Sequence, residues 1–464
     1  MSFRRLTPTT ALAALWIGLG MAPALAQDDV ATLRQELEQL KRQFQQMQQA
    51  YAHQVEVLEN RLAEIETQPE REQIAADMAP PLPAGPSSES STDFLKIGVD
   101  GLFTAGGSSV DNESLGNLQF GAHDPNRNGF TVQQAELSLG ATVDPYFDAQ
   151  AFIIFQIDAE GETVVELEEA FLSTRALPGG LQLKAGQFFT EFGRHNPIHP
   201  HGWDFVDQPV ILSRLMGPDS LRSQGARLSW LTPLPWYSEL LVAVQNASGE
   251  TAVSFLGEGA GEDGDEEIGG HALIDRDGRD FGDLLYSARL LNGFDLSDNT
   301  SVNLGFSGAW GPNASGLTAS TRIVGGDLYV KWQPPYTQRG FPFVSWQTEV
   351  IGRRYTAGDP GDPSREILKD WGLYSQVLWG FRPGWVAGVR FDHADASGGA
   401  GRSADFLRDR RQRLSPNLTW YPTEFSKLRL QYNHDWAPHL AGGSADALWL
   451  QVEFAIGSHL AHIF

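Results

Sequence analysis

The stretch Leu448-Trp449-Leu450-Gln451-Val452-Glu453-Phe454-Ala455-Ile456 decides the fold. Leu448, Leu450, Val452, Phe454 and Ile456 share one parity, while Gln451 and Glu453 share the other. Successive side chains of a strand point to opposite faces, so this spacing predicts a strand with one apolar and one polar face. The run from Phe147 to Ile157 repeats it: Phe147, Ala149, Ala151, Ile153, Phe155 and Ile157 alternate with residues that include Asp148, Gln150 and Gln156.

Working outward, sixteen such segments follow one another. They start near Phe94, Phe130, Phe147, Val164, Leu181, Gln224, Glu239, Leu284, Ser301, Arg322, Phe343, Trp371, Trp385, Arg413, Ser426 and Ala447. Short connections carry turn residues such as Asp144-Pro145, Pro178-Gly179-Gly180, Pro334-Pro335 and Pro383-Gly384. Long ones lie near 105–128, 191–223, 247–283, 356–370, 394–410 and 434–446. This alternation, with Trp230, Trp236, Tyr237, Trp332, Trp420 and Tyr421 at strand ends, predicts an all-β transmembrane barrel over residues 93–464. A soluble sandwich, propeller or jelly roll would turn polar residues outward, whereas here the charges sit mostly opposite the apolar parity. Strand four is the awkward one: Glu166, Glu168 and Glu169 cannot all face the lumen without a bulge.

Upstream, the organisation changes. Arg4 and Arg5, the apolar run Ala11–Met21 and Ala24-Leu25-Ala26 have the three-part form of a secretory signal over residues 1–26. Val30, Leu37, Phe44, Tyr51, Leu58 and Ile65 then recur every seven residues, with Leu33, Leu40 and Met47 at the second seam position. Such a seam needs a partner helix, so residues 27–68 read as an α-helical coiled coil. Its large aromatics favour a trimer, and a lone amphipathic helix packed on the main domain is the alternative. Pro69, Pro80, Pro81, Pro83 and Pro86, with Ser87, Ser88, Ser90 and Ser91, make residues 69–92 a semi-rigid linker.

Composition narrows the function. The chain has 464 residues, no cysteine, 34 basic and 58 acidic residues, and a formal charge of −24. Zero cysteines exclude thiol catalysis and disulfide scaffolds. The charge argues against nucleic acid as a partner, because phosphates would be repelled. Neither G-x-S-x-G nor H-E-x-x-H occurs, so the reading is non-enzymatic; a barrel phospholipase or protease is the enzyme alternative.

The pattern as a whole resembles the phosphate-selective porin O and P family. Gly186-Gln187-Phe188-Phe189-Thr190-Glu191-Phe192-Gly193-Arg194 is its most recognisable local piece. The run continuing through His195-Asn196-Pro197-Ile198-His199-Pro200-His201-Gly202-Trp203-Asp204 resembles a subgroup described as zinc-regulated outer-membrane proteins, sometimes called TonB-dependent. A plugged transporter needs a plug domain and about 22 strands, which residues 93–464 cannot hold. The resemblance implies a sixteen-stranded trimeric barrel in a bacterial outer membrane, among lipid and lipopolysaccharide. The coiled coil would then lie in the periplasm, within reach of peptidoglycan.

Strand parity gives a mixed lumen wall: Glu136, Asp148, Asp327, Glu349 and Glu453 against Lys184, Arg289, Lys331, Arg353, Arg390 and Arg429. Acidic excess collects in the loop 247–283, an acidic vestibule or a bridge to lipid headgroups through divalent ions. By analogy with porins, loop 191–223 folds inward and makes a pore constriction from Glu191, Arg194, Asp207, Arg214 and Arg222. It also carries His195, His199, His201 and Asp204, whose imidazole and carboxylate donors suit Zn²⁺ or another divalent cation; ordinary loop packing is the alternative. No cofactor is required. The expectation is therefore a porin-like channel for passive uptake of small solutes, with divalent metal ions such as zinc or their complexes as one candidate cargo. A phosphate-type anion porin and an envelope-tethering structural protein are the alternatives.

Overall fold

In a computed structural model, the chain is described over residues 95–157, 161–260, 266–276, 278–399 and 405–457. The expected signal, coiled coil and linker, and the terminal Phe464, lie outside the described residues. The strands are β1 (Leu95–Ser108), β2 (Gly129–Thr142), β3 (Phe147–Ile157), β4 (Thr163–Thr174), β5 (Leu181–Phe189), β6 (Arg222–Leu231) and β7 (Tyr237–Asn246). A small hairpin, β8 (Glu267–Ile268) and β9 (His271–Ala272), sits in the long loop that follows. Then come β10 (Leu284–Ser297), β11 (Thr300–Pro312), β12 (Ser320–Trp332), β13 (Phe343–Ala357), β14 (Glu366–Arg382), β15 (Trp385–Ser397), β16 (Arg411–Thr423), β17 (Ser426–Trp436) and β18 (Ser444–Gly457).

Apart from the hairpin, these sixteen strands form one closed antiparallel barrel, each paired with its neighbour in sequence. β1 closes it on β18, with Gly98 opposite Gly457 and Ser108 opposite Ala447. Closure leaves no edge with unpaired backbone groups, the condition for a sheet surrounded by hydrocarbon. Six strands begin at the residue the sequence pattern predicts; the largest offset is β14, which starts at Glu366 instead of Trp371.

The distribution of exposure is inside out. Along β18, Leu448, Leu450, Val452, Phe454 and Ile456 are exposed, and Trp449, Gln451, Glu453 and Ala455 between them are buried. Phe306 and Val324, 55% and 64% exposed, show the same outward face on β11 and β12. A continuous apolar exterior with polar groups buried inside belongs in a bilayer. Exposed tryptophans ring both rims: Trp230, Trp332, Trp346, Trp379 and Trp420 at the short-turn end, and Trp310, Trp371 and Trp436 at the long-loop end. Tyr421 departs from the expected girdle and borders an interior cavity instead.

Two bulges re-aim side chains. Opposite Phe152 and Ile153, β4 offers Glu169 and Leu167, so Glu168 is the extra residue. Glu168 and Glu169 are consequently both buried inside, as the sequence required. On β2 the pairing skips Gln133 in the same way, and Gln133 and Gln134 both turn inward.

Leu430 and Leu450 pair across β17 and β18 near the middle of the apolar belt. Leu450→Arg should lower folding stability in lipid vesicles by about 2–4 kcal/mol, read by urea titration of refolding. A variant as stable as the parent would mean that this face does not touch hydrocarbon.

Candidate functional site

The connection between β5 and β6, residues 190–221, does not stay outside. Its helix α1 (Val210–Met216) is buried at every residue. Ile211, Leu212, Leu215 and Met216 join Phe192, Phe255, Leu285, Ile323, Ile351 and Tyr374 in a hydrophobic core inside the barrel. The wall makes room for it. A Cβ at Gly372 would stand 2.8 Å from Ile211 Cδ1, and one at Gly325 would stand 2.9 Å from the Phe192 ring. Glycine at these two positions lets a large loop side chain lie flat on the strand.

Polar contacts fix the loop's register. The Asp207 carboxylate accepts from Arg390 Nη2 at 2.6 Å and Arg413 Nη1 at 2.8 Å. Gln119, Gln431 and Asn433 donate to the same two oxygens at 3.0, 3.0 and 2.6 Å. Burial pushes this carboxyl up, but the charges of Arg413 and Arg390 hold it below the ordinary aspartate range. Arg390 also bonds Asp392, which accepts from the Val210 amide at the start of α1. At the helix's other end Arg214 pairs with Asp409.

The five expected constriction residues therefore do different work. Asp207, Arg214 and Arg222 are buried in ion pairs, the last with Glu166 and Asp219. Glu191 bonds Arg227 on the wall at 2.7 Å. Arg194 faces open space, stacked 3.8 Å from the Tyr329 ring centroid and bonded to Gln347.

The expected metal donors divide as well. His199 and His201 come together, their rings stacked with centroids 5.6 Å apart. His195 lies against Trp203 and Tyr374, and burial followed by the charges of Arg390 and Arg194 lowers it to about 3, so its imidazole is neutral. Asp204 accepts from Gln376 at 2.8 Å, and burial raises its carboxyl. The partners of the His199 pair come instead from the wall. Glu168 Oε2 stands 2.6 Å from His199 Nδ1, Glu169 Oε2 3.0 Å from His199 Nε2, and Glu136 Oε2 3.1 Å from His201 Nδ1. Burial alone would depress His199, but the charge of Glu168 and close contact with the Glu136, Glu168 and Glu169 carboxylates raise it well above the ordinary value. Sequence spacing could not pair a loop with strands thirty and more residues away; the run Glu166, Glu168, Glu169 was the available signal.

Between the infolded loop and the short-turn end lies a cavity of about 610 Å³. Arg194, Lys331, Lys427 and Arg429 line it, with Asp204 the acidic group among its lining residues. Arg429 is held by Thr419, Gln451 and the Trp203 carbonyl, neutral partners that leave its charge to the cavity. Lys427 pairs with Glu453. At the opposite end Glu250, Glu258, Glu266, Glu267, Asp275 and Asp280 are exposed.

The chain is 32% identical over 357 residues to an uncharacterized protein of Aquifex aeolicus (strain VF5), covering 73% of this chain and 71% of that one. The two belong to one family. No model of a known protein family matches the chain. Among solved structures, the outer membrane channel DcaP of Acinetobacter baumannii superposes with a TM-score of 0.50 at 11% identity, over 78% of this chain and 96% of that one. The OprB structure of Pseudomonas putida gives 0.46 at 10% identity, over 78% and 94%. The DcaP likeness is one of fold: a closed barrel of the outer-membrane channel kind.

Removing the Asp207 carboxylate leaves Arg390 and Arg413 buried without it, so Asp207→Ala should weaken loop docking by about 3–5 kcal/mol. Protease cleavage within 190–221 reads this; an unchanged digestion pattern would refute the anchor. A carboxyl held low stabilises above its unfolded value of about 3.9 and loses that contribution as pH falls through its folded value. Protection in the parent should thus persist from neutrality to about pH 4 and fall in stronger acid.

Proposed function

We propose that the protein is a porin-like diffusion channel for small polar solutes, seated as a homotrimer in a bacterial outer membrane. The observation that carries this reading is the division of a closed lumen by an infolded loop, with a charged cavity of about 610 Å³ beyond it. Passive passage needs a closed wall, a narrowing and groups that replace part of a solute's hydration. Arg194, Lys331 and Arg429 supply cationic groups beside the rings of Tyr329 and Tyr421. Anionic solutes with a flat or aromatic part gain most there, by charge-assisted hydrogen bonds and stacking. The resemblance to phosphate-selective porins agrees with this alternative over a metal-ion cargo.

A second reading rests on the exposed acidic residues of the loop 247–283, which concentrate cations at the long-loop mouth. The heptad seam of residues 30–65 supports a trimer and, behind the linker, a periplasmic tether that meets peptidoglycan. Lipopolysaccharide would surround the long-loop rim.

Planar bilayers test the channel. The intact protein should conduct in steps, and deletion of residues 195–215 should enlarge each step. Silence of both proteins would reject the reading. In a KCl gradient the reversal potential should have the sign of chloride preference, and Arg194→Glu with Lys331→Glu should move it toward potassium. A potassium sign in the parent would favour the acidic mouth as the selective element.

A further inference from the structure

The cluster of Glu136, Glu168 and His199 has a composition that the channel reading leaves unused. We infer that it is a divalent-cation site that clasps the infolded loop to the barrel wall, with Zn²⁺ as the fitting ion. The metal would be a fixed part of the protein, not its cargo.

Three observations converge on it. The first is position: one donor atom from each of Glu136, Glu168 and His199 lies within 4.8 Å of the others. A tetrahedral zinc ion bonded at about 2.1 Å holds its donors about 3.4 Å apart. His199 Nδ1 stands 3.5 Å from Glu136 Oε2 and 2.6 Å from Glu168 Oε2, so a small opening of one contact admits the ion.

The second is an unsatisfied side chain. Glu168 has no exposed surface, and neither of its oxygens accepts a hydrogen bond of acceptable geometry. His199 Nδ1 is in the same condition, facing Glu168 without the direction of a bond. Buried carboxylates nearly always accept directed hydrogen bonds; Glu168 accepts none and meets instead the charge of His199, 2.6 Å away. Neighbouring donors do not reach Glu168: the Phe189 amide donates to Glu169 Oε1, and His201 Nδ1 lies 3.1 Å from Glu136 Oε2, which orients that carboxylate. An outer hydrogen bond of this kind fixes the orientation of a metal-bound carboxylate.

The third is charge and placement. Glu136, Glu168 and Glu169 face two imidazoles, so the group stays net negative even with both rings protonated. A divalent cation between them removes that excess. The β4 bulge exists at this residue: without it Glu168 would point into lipid. Mixed nitrogen and oxygen donors with one imidazole suit Zn²⁺ over Ca²⁺ or Mg²⁺, which prefer oxygen alone. Because His199 belongs to the loop and both carboxylates to the wall, an ion here ties one to the other.

The probe is Co²⁺ added to the full-length protein in detergent after chelator treatment. One Co²⁺ per chain should bind with visible ligand-field bands and be displaced by Zn²⁺. Glu168→Gln and His199→Ala should each weaken binding at least tenfold. His271→Ala, in the distant long loop beside Glu366, should bind as the parent does. Zn²⁺ should also slow protease cleavage within 190–221 in the parent and leave Glu168→Gln unaffected. Absence of stoichiometric uptake by the parent overturns the inference whatever the variants do, and so does uptake that survives in the folded double variant. The channel reading is tested separately by conductance, which does not require the ion.

Discussion

The carboxylate of Asp207, enclosed by Arg390 and Arg413, is the interaction on which the interior depends. A strand barrel in hydrocarbon has no second layer to pack against, so its inside must be filled by its own loops or by water. Here a loop enters, bringing charge with it. Asp207 meets two guanidiniums on β15 and β16, and the neighbouring Asp392 receives the first amide of α1. Once those contacts form, the helix has one place to lie. Its apolar side chains then pack on Gly372 and the aliphatic residues of the wall.

That arrangement explains why the lumen wall is polar and yet largely buried where the loop covers it. Arg353, Asp370 and Arg408 form one chain of ion pairs, and Arg411, Asp435, Arg413 and Asp207 another. Isolated buried pairs add little to stability, because desolvation offsets attraction. Linked pairs in which one arginine bridges two carboxylates, as Arg413 bridges Asp435 and Asp207, restrict geometry more than they add energy. They pin the register of the infolded loops against the barrel wall.

The architecture was legible because it rests on a local property. A period of two, read at Leu448–Ile456 or Phe147–Ile157, fixes which side chains meet lipid, and the structure places both segments so. The crowding of Glu166, Glu168 and Glu169 even located a bulge before any pairing was known. The site was less legible because its partners are distant in sequence. His199 was visible as a donor, but Glu136 and Glu168 were counted only as wall residues or as a misfit. Asp207 and Arg222 were visible as charges, but their buried partners Arg413 and Glu166 decide that they are anchors. One signal was passed over: Val210-Ile211-Leu212 and Leu215-Met216 are too apolar for a segment that stays in water.

The two sides of the infolded loop differ in sign, and the difference follows from which strand ends they meet. Toward the short turns, the strand termini contribute Lys331, Lys427 and Arg429, and the loop adds Arg194. On the side where the loop crosses β2 and β4, the bulges turn consecutive polar residues inward, and carboxylates gather as Glu136, Glu168 and Glu169. His201 joins the two regions, lining the cationic cavity while its ring bonds Glu136 of the acidic cluster. A single loop sets both regions, because Arg194 and His199 are only five residues apart on it. Movement of that loop would therefore change the charge of the passage and its width together, which a constriction built from wall residues alone could not do.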